Sequence, residues 1–197
     1  MTVGPNTRAP GLHAFVFIDH SEIRISELVA SLFEYREGSP RVHWAGSVVG
    51  DYKAFVHVWD DDPEDLGGLE DFIDGTLWDV GAHCQKALEL KVAAGKGTKH
   101  ATPDVLALIG IKTEHGQAMR VMEELEKIDE AAGGEWLQGA SLVTGHLDIL
   151  LQLNADSLAG AIERILDPRV AGLPGVAWTS TAIADGRRGP FAERSGA

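Results

Sequence analysis

The chain has 197 residues, 44% of them hydrophobic, and carries 17 Lys and Arg against 30 Asp and Glu, a formal net charge of −13. The length allows one medium domain or two small ones. An acidic chain without a basic stripe is excluded as a direct nucleic-acid binder, because phosphate neutralisation needs clustered cations; the one close basic pair with flanking glycines is Arg187-Arg188. No apolar run approaches the ~18 residues of a membrane-spanning helix, and the first residues lack a signal-peptide core. A cytoplasmic protein with no membrane partner is the expectation. Cys84 is the single cysteine, which rules out an intramolecular disulfide framework and any cysteine-rich zinc site.

Leu12 to Ile18 is a short apolar run suited to a buried strand. Ile25, Leu28, Val29 and Leu32 recur at helical spacing, with Asp19 and Glu22 before them resembling a capping box. Residues 41–49 and 52–59 read as strands joined through Gly50-Asp51, a hairpin signal. Asp62-Pro63 then reads as a helix start, with Leu66, Leu69 and Ile73 as the buried stripe. A last strand is expected over 84–92. The order then repeats: a strand over 104–112, a helix with Ala118, Val121, Met122 and Leu125 on one face, and strands 136–144 and 147–154 around Gly145. A helix capped by Asp156 or Ser157 and carrying Leu158, Ile162 and Ile165 follows, and residues 176–184 close the series.

The repetition extends to residue patterns. VVGDYKAFVHV (48–58) aligns with VTGHLDILLQL (143–153) at a displacement of 95, and HAFVFI (13–18) with LALIGI (106–111) at 93. The fold class expected is α+β: two ferredoxin-like βαββαβ units in tandem, 12–92 and 104–184, joined by a linker over 93–103. Helices cover only one face of such a sheet. The other face also carries bulky apolar residues here, and exposing it is unfavourable by ~25 cal/mol per Å². It should therefore pack on a second sheet, giving a dimeric α+β barrel-like pseudo-dimer, assembled further into a homo-oligomer.

Three motifs in the second half carry a resemblance. Lys112-Thr113-Glu114-His115-Gly116 opens a helix, Thr144-Gly145-His146-Leu147-Asp148 forms a hairpin, and Leu173-Pro174-Gly175-Val176 is a late turn. Over roughly 104–184 this resembles the effector-binding domain of the Lrp/AsnC (feast/famine) regulators, and over 12–92 the likeness rests mainly on the repeat. About a dozen residues precede the first strand, too few for the family's helix-turn-helix. The resemblance implies an oligomerising regulatory protein, not an enzyme, that binds a small amino-acid-like effector or another regulatory protein. The implied ligand-binding residues are Thr144, Gly145, His146 and Asp148, with Gly50, Asp51 and Lys53 at the degenerate first-half hairpin. Glycine there admits positive φ and close backbone approach, and a carboxylate can pair with an ammonium group. Lys53 stands where the second half has Asp148; the two either clamp one ligand between them or form a plain salt bridge.

The histidines suggest no cofactor. His13, His43 and His57 lie on first-half strands and His83 follows a turn, but no metal-ligand spacing appears, so hydrogen-bonded or surface roles are expected. Asp60-Asp61-Asp62 reads as a solvated loop, and Gly95-Lys96-Gly97-Thr98 as linker. Cys84 and His83 are strand neighbours pointing to opposite faces, which argues against a nucleophilic dyad. Trp44, Trp59, Trp78, Trp136 and Trp178 suit packing. The alternative reading is a dimeric α+β barrel enzyme of monooxygenase or haem-binding type; it needs convergent polar groups inside the sheet–sheet space.

Overall fold

Apolar runs of period two, alternating with segments of helical period, fold into two successive βαββαβ units. The structure is a computed structural model and describes residues 11–79, 82–93, 105–133, 137, 139–155, 157–165 and 168–185. The first unit comprises β1 (Leu12–Ser21), α1 (Ile25–Leu32), β2 (Arg41–Gly50), β3 (Ala54–Asp60), α2 (Leu66–Asp79) and β4 (Ala82–Ala93). The second comprises β5 (Val105–Thr113), α3 (Ala118–Ala131), β6 (Gly139–Gly145), β7 (Ile149–Ala155), α4 (Leu158–Ile165), the one-turn α5 (Pro168–Ala171) and β8 (Val176–Asp185). Apart from Ala93, the expected linker lies outside the described residues, as do Asp156, Trp136 and the Arg187-Arg188 pair.

The eight strands close into one barrel in the order β1-β3-β2-β8-β5-β7-β6-β4. The halves join at two seams: Val48–Gly50 of β2 against Ala182–Ala184 of β8, and β4 against β6. Side chains pointing out of the barrel meet the helices. Ala14, Val16, Ile18, Val56 and Val58 pack under Leu28, Leu32, Leu69 and Ile73 in the first half. Ala107, Ile109, Ile111, Leu151 and Leu153 pack under Val121, Met122 and Leu125 in the second. Side chains pointing inward form a third cluster that fills the lumen, as the interior width of an eight-stranded barrel requires. The apolar second face that called for a partner sheet is thus buried within one chain, and no second copy is needed to cover it. Among the described residues no helix is long and apolar enough to cross a membrane.

The duplication is visible in the register. Phe17 pairs with Phe55 and Gln85, and Gly110 pairs with Leu150 and Ser180, the residues at the matching displacements of 93 and 95. Each hairpin tip is held alike. Val48 N–H donates to Lys53 O at 3.0 Å and Lys53 N–H to Ile18 O at 2.8 Å; Val143 N–H donates to Asp148 O at 2.9 Å and Asp148 N–H to Ile111 O at 3.0 Å. Gly50 (φ 138°) and Gly145 (φ 113°) make the turn possible. A Cβ at Gly50 would run into the Thr181 carbonyl of the facing half. Gly50→Ala is therefore expected to destabilise by more than the ~1–3 kcal/mol of a residue forced into a sparsely allowed region. Gly116→Ala, at positive φ but in open space, should lose less. Equal losses in chemical denaturation would show that the halves do not approach closely at Gly50.

Several boundaries differ from expectation. No capping box forms at Asp19 and Glu22, because β1 continues to Ser21 and pairs with β4 there. The second helix starts at Leu66, with Asp65 Oδ1 accepting the Gly68 N–H at 2.9 Å; Asp62 instead accepts the Glu64 N–H within the preceding loop. Leu66 is 46% exposed and Leu77 takes the buried position. On α4, capped by Ser157, Leu158 (51%) and Ile162 (42%) face solvent while Ala161 is buried.

Candidate active site

Strand alternation delivers a column of rings to the lumen. His13, Phe15 and Phe17 share one face of β1, and Phe55, His57 and Trp59 share the matching face of β3. A bulge between Val42 and Trp44 turns Trp44 inward on β2. Trp44 lies over Gly46, where any side chain would strike its ring. Ring centroids follow one another from Trp59 to His13 (6.2 Å), His57 (5.1 Å), Phe15 (5.0 Å), Phe55 (6.1 Å), Phe17 (5.2 Å) and Tyr52 (4.8 Å). Such offset and tilted pairs add about 0.5–1.5 kcal/mol each beyond area burial.

Near one mouth of the lumen the column becomes polar. His13 Nδ1 and His57 Nε2 are 2.9 Å apart, one donating and the other accepting. His13 is only 8% exposed. Trp59 is flanked on the sheet by His13 of β1 and Arg41 of β2, its register partners on either side. Arg41 stands 4.0 Å from the Trp59 ring centroid and forks onto Asp61 at 3.0 and 3.2 Å. Two imidazoles in contact, stacked between a phenyl and an indole, can hold and pass a proton in surroundings largely cleared of water.

The second half has no such column. Phe15, Phe17, Phe55, His57 and Tyr52 correspond to Leu108, Gly110, Leu150, Gln152 and Leu147. Opposed strands can bring two of these histidines together, but the register that joins His13 to His57 is not written in either segment. The available signal was parity: each occupies the same strand face as neighbouring aromatics, His13 with Phe15 and Phe17, His57 with Phe55 and Trp59.

The residues first expected to bind a ligand lie at the opposite mouth. Thr144 is exposed, and Gly145 forms the turn. His146 packs tilted against Trp178, ring centroids 5.0 Å apart, and burial together with the Lys112 charge holds its imidazole below the ordinary value, with Asp19 opposing. Asp51 receives the Thr181 N–H at 2.7 Å and donates its own N–H to Thr181 O, tying the first hairpin to β8. Lys53 and Asp148 do not meet as an ion pair. Asp148 is bound within its own half, by Lys112 Nζ at 2.8 Å and by Thr113 through its N–H (2.8 Å) and hydroxyl (3.0 Å). The lysine in the first-half hairpin belongs to a reversal of both signs: Lys112 and Asp148 correspond to Asp19 and Lys53. Tyr52 reaches Ser180 at 3.2 Å and Gln85 at 3.3 Å, counterparts across the two halves. Burial pushes its phenol above the ordinary value, the Ser180 bond opposing and the Asp51 and Asp19 charges adding.

Asp148 makes pH a test of this mouth. Burial alone would raise its carboxyl, but the Lys112 and Thr113 hydrogen bonds and the Lys112 charge outweigh burial and hold it below 3.8. A depressed native carboxylate stabilises fully above the unfolded value and loses that contribution as pH falls through the native one. Wild type should therefore lose more stability than Asp148→Asn between neutral pH and pH values below 3.8. At neutral pH the variant should be weaker by about 1.5–3 kcal/mol, the range for hydrogen bonds to a charged group. Parallel acid-denaturation curves would contradict this assignment.

No family model matches the chain, and no curated protein matches it. Solved structures do superpose on it. An anthrone oxidase-like protein matches with TM-score 0.59 at 13% identity, over 88% of this chain and 91% of that one. Chlorite dismutase from Candidatus Nitrospira defluvii, in complex with imidazole, matches with TM-score 0.56 at 11% identity, over 95% and 94%. A candidate monooxygenase from Fusobacterium nucleatum subsp. nucleatum matches with TM-score 0.51 at 10% identity, over 88% and 90%. At these identities the superpositions show a shared fold and no more: ferredoxin-like units in tandem, closed as a dimeric α+β barrel. They overturn the Lrp/AsnC resemblance and the reading of a non-enzymatic transcription regulator drawn from it. The three motifs behind that resemblance are accounted for locally, by a positive-φ turn at Gly145, by the Lys112–Asp148–Thr113 network, and by Gly175 at φ 95°.

Proposed function

We propose that the protein is an enzyme of the dimeric α+β barrel class that oxidises a small, planar aromatic molecule at the His13–His57 mouth. The observation that carries this reading is the 2.9 Å imidazole pair seated in an aromatic column. One imidazole takes a proton from an acidic position of the substrate while the other holds its ring and tautomer, a division of labour general for proton transfer at carbon or oxygen. Trp59, half-buried at the mouth, favours an aromatic ligand. Dioxygen as oxidant is taken from the oxidase-like and monooxygenase descriptions of two structural neighbours.

Haem, the other form of the enzyme reading, does not fit the described residues. An axial ligand must face a planar slot, yet His13 and His57 bind each other in a lumen where Phe15, Phe17 and Phe55 are buried. Cys84 packs against the first helix–sheet layer, and burial pushes its thiol up, favouring the protonated form. The His43 and His83 side chains and His100 lie outside the described residues. Among the described residues no three His, Cys, Asp or Glu side chains form a group able to hold a metal ion.

The test is dioxygen uptake by the purified protein with anthrone-type and phenolic polycyclic substrates, before and after incubation with haem. Substrate-dependent uptake unaffected by haem supports the reading. Uptake that appears only with haem, accompanied by a Soret band, would replace it.

A further inference from the structure

We infer that Arg41 is a positioning residue that locks Trp59 as the outer wall of the histidine pair, and that the site consequently takes uncharged planar aromatics rather than aromatic carboxylates. The inference rests on the location of the site proposed above and names its substrate class.

A guanidinium at the mouth of an aromatic pocket would ordinarily suggest a receptor for a carboxylate or phosphate. Here it is already engaged. Nη1 donates to Gly38 O at 2.6 Å and to Asp61 Oδ2 at 3.0 Å, and Nη2 donates to Asp61 Oδ1 at 3.2 Å. Its charge is neutralised by that fork, and its carbon lies over the Trp59 ring. The arrangement follows from register: Arg41 and His13 are the cross-strand partners of Trp59 on opposite sides, so the indole is bracketed by a cation and an imidazole. A third restraint comes from Gly11, where an added Cβ would meet both the Asp60 carbonyl and the Trp59 indole nitrogen. The indole can neither turn out into solvent nor swing across the mouth while these contacts hold.

The surrounding charge points the same way. Asp60, Asp61 and Asp62 close this end of β3 and its loop. Asp60, 2% exposed, accepts the Ser39 hydroxyl at 2.6 Å and the Asp62 N–H at 3.1 Å. An anion approaching the mouth meets this acidic rim, with the guanidinium already forked onto a carboxylate, on a chain of net charge −13. A neutral ring meets no such repulsion.

The probes are 2-naphthol and 2-naphthoate at neutral pH, planar molecules of similar size that differ in charge. Binding is followed by the Trp59 indole N–H resonance, identified by its loss in Trp59→Phe, and by the His13 and His57 imidazole resonances. Wild type is expected to bind the naphthol at least fivefold more tightly than the naphthoate. Arg41→Ala should shift all three resonances and weaken naphthol binding about fivefold. Arg41→Lys, which lacks the planar fork, should not restore them, and Asp61→Asn should resemble a milder Arg41→Ala. Tighter naphthoate binding that Arg41→Ala abolishes would overturn the proposal by making Arg41 an anion receptor. Imidazole resonances unmoved in Arg41→Ala would overturn the clamp, and binding of neither probe would overturn the substrate class. None of these readouts needs turnover, so they stand apart from a failure of the oxidation assay.

Discussion

Replacing His57 by glutamine is expected to lower turnover by about 10²–10⁴-fold, the usual contribution of a positioned acid–base group. Glutamine has hydrogen-bonding capacity and similar reach but cannot exchange a proton in the working range. It is also what the duplicated half carries at the corresponding position, Gln152, so the barrel accommodates it. His13→Gln should lose a comparable amount. Because the imidazoles contact each other at 2.9 Å, the double variant should lose little more than either single one, as groups acting as a unit do. The measurement is kcat for all three alongside thermal denaturation. Turnover retained within about twofold in a folded His57→Gln protein would remove the pair from the mechanism.

The second large effect concerns the lumen. Leu147 is fully buried, and it reaches the centre because its neighbour on the barrel wall is Gly110. An added Cβ there would lie 2.5 Å from Leu147 Cδ1 and 2.8 Å from Ser180 Oγ. Leu147→Ala should destabilise by about 2–5 kcal/mol, through lost apolar burial and a residual cavity. Gly110→Ala should destabilise by about 1–3 kcal/mol through overpacking. Together they should fall well short of the sum, because the methyl added at one site occupies space vacated at the other. Strict additivity in urea titrations would mean that the two residues do not share the lumen as described.

That space-sharing also explains the difference between the halves. Phe17 and Tyr52 occupy in the first half what Gly110 and Leu147 occupy in the second, and the aromatic column rises only on the first-half wall. The functional groups follow the column. The second half has the hairpin motif TGHLD, yet its aspartate serves Lys112 and Thr113. The first half has no recognisable motif and holds the imidazole pair.

Much of the fold was legible because its determinants are local. Periods of two and of 3.6, recurring in the same order, identify the βαββαβ unit, and matched displacements of 93 and 95 reveal its duplication. Gly50 and Gly145 mark the hairpin tips because a Cβ is unwelcome at their φ values. Less legible was the start of α2, where Asp65 rather than Asp62 became the cap.

Composition and periodicity carried the elements, their order, their repetition and the packing of one half's sheet on the other's. That Asp148 turns to Lys112 rather than Lys53, and that His13 meets His57, came from the tertiary fold alone. The reason is register. Whether residues 44 positions apart touch or face opposite ways depends on a pairing that slips by whole residues, and each slip exchanges the two faces of the strand. Barrel closure, the bulge at the Trp44 end of β2 and the packing of the lumen select that register together, and no single segment carries the information.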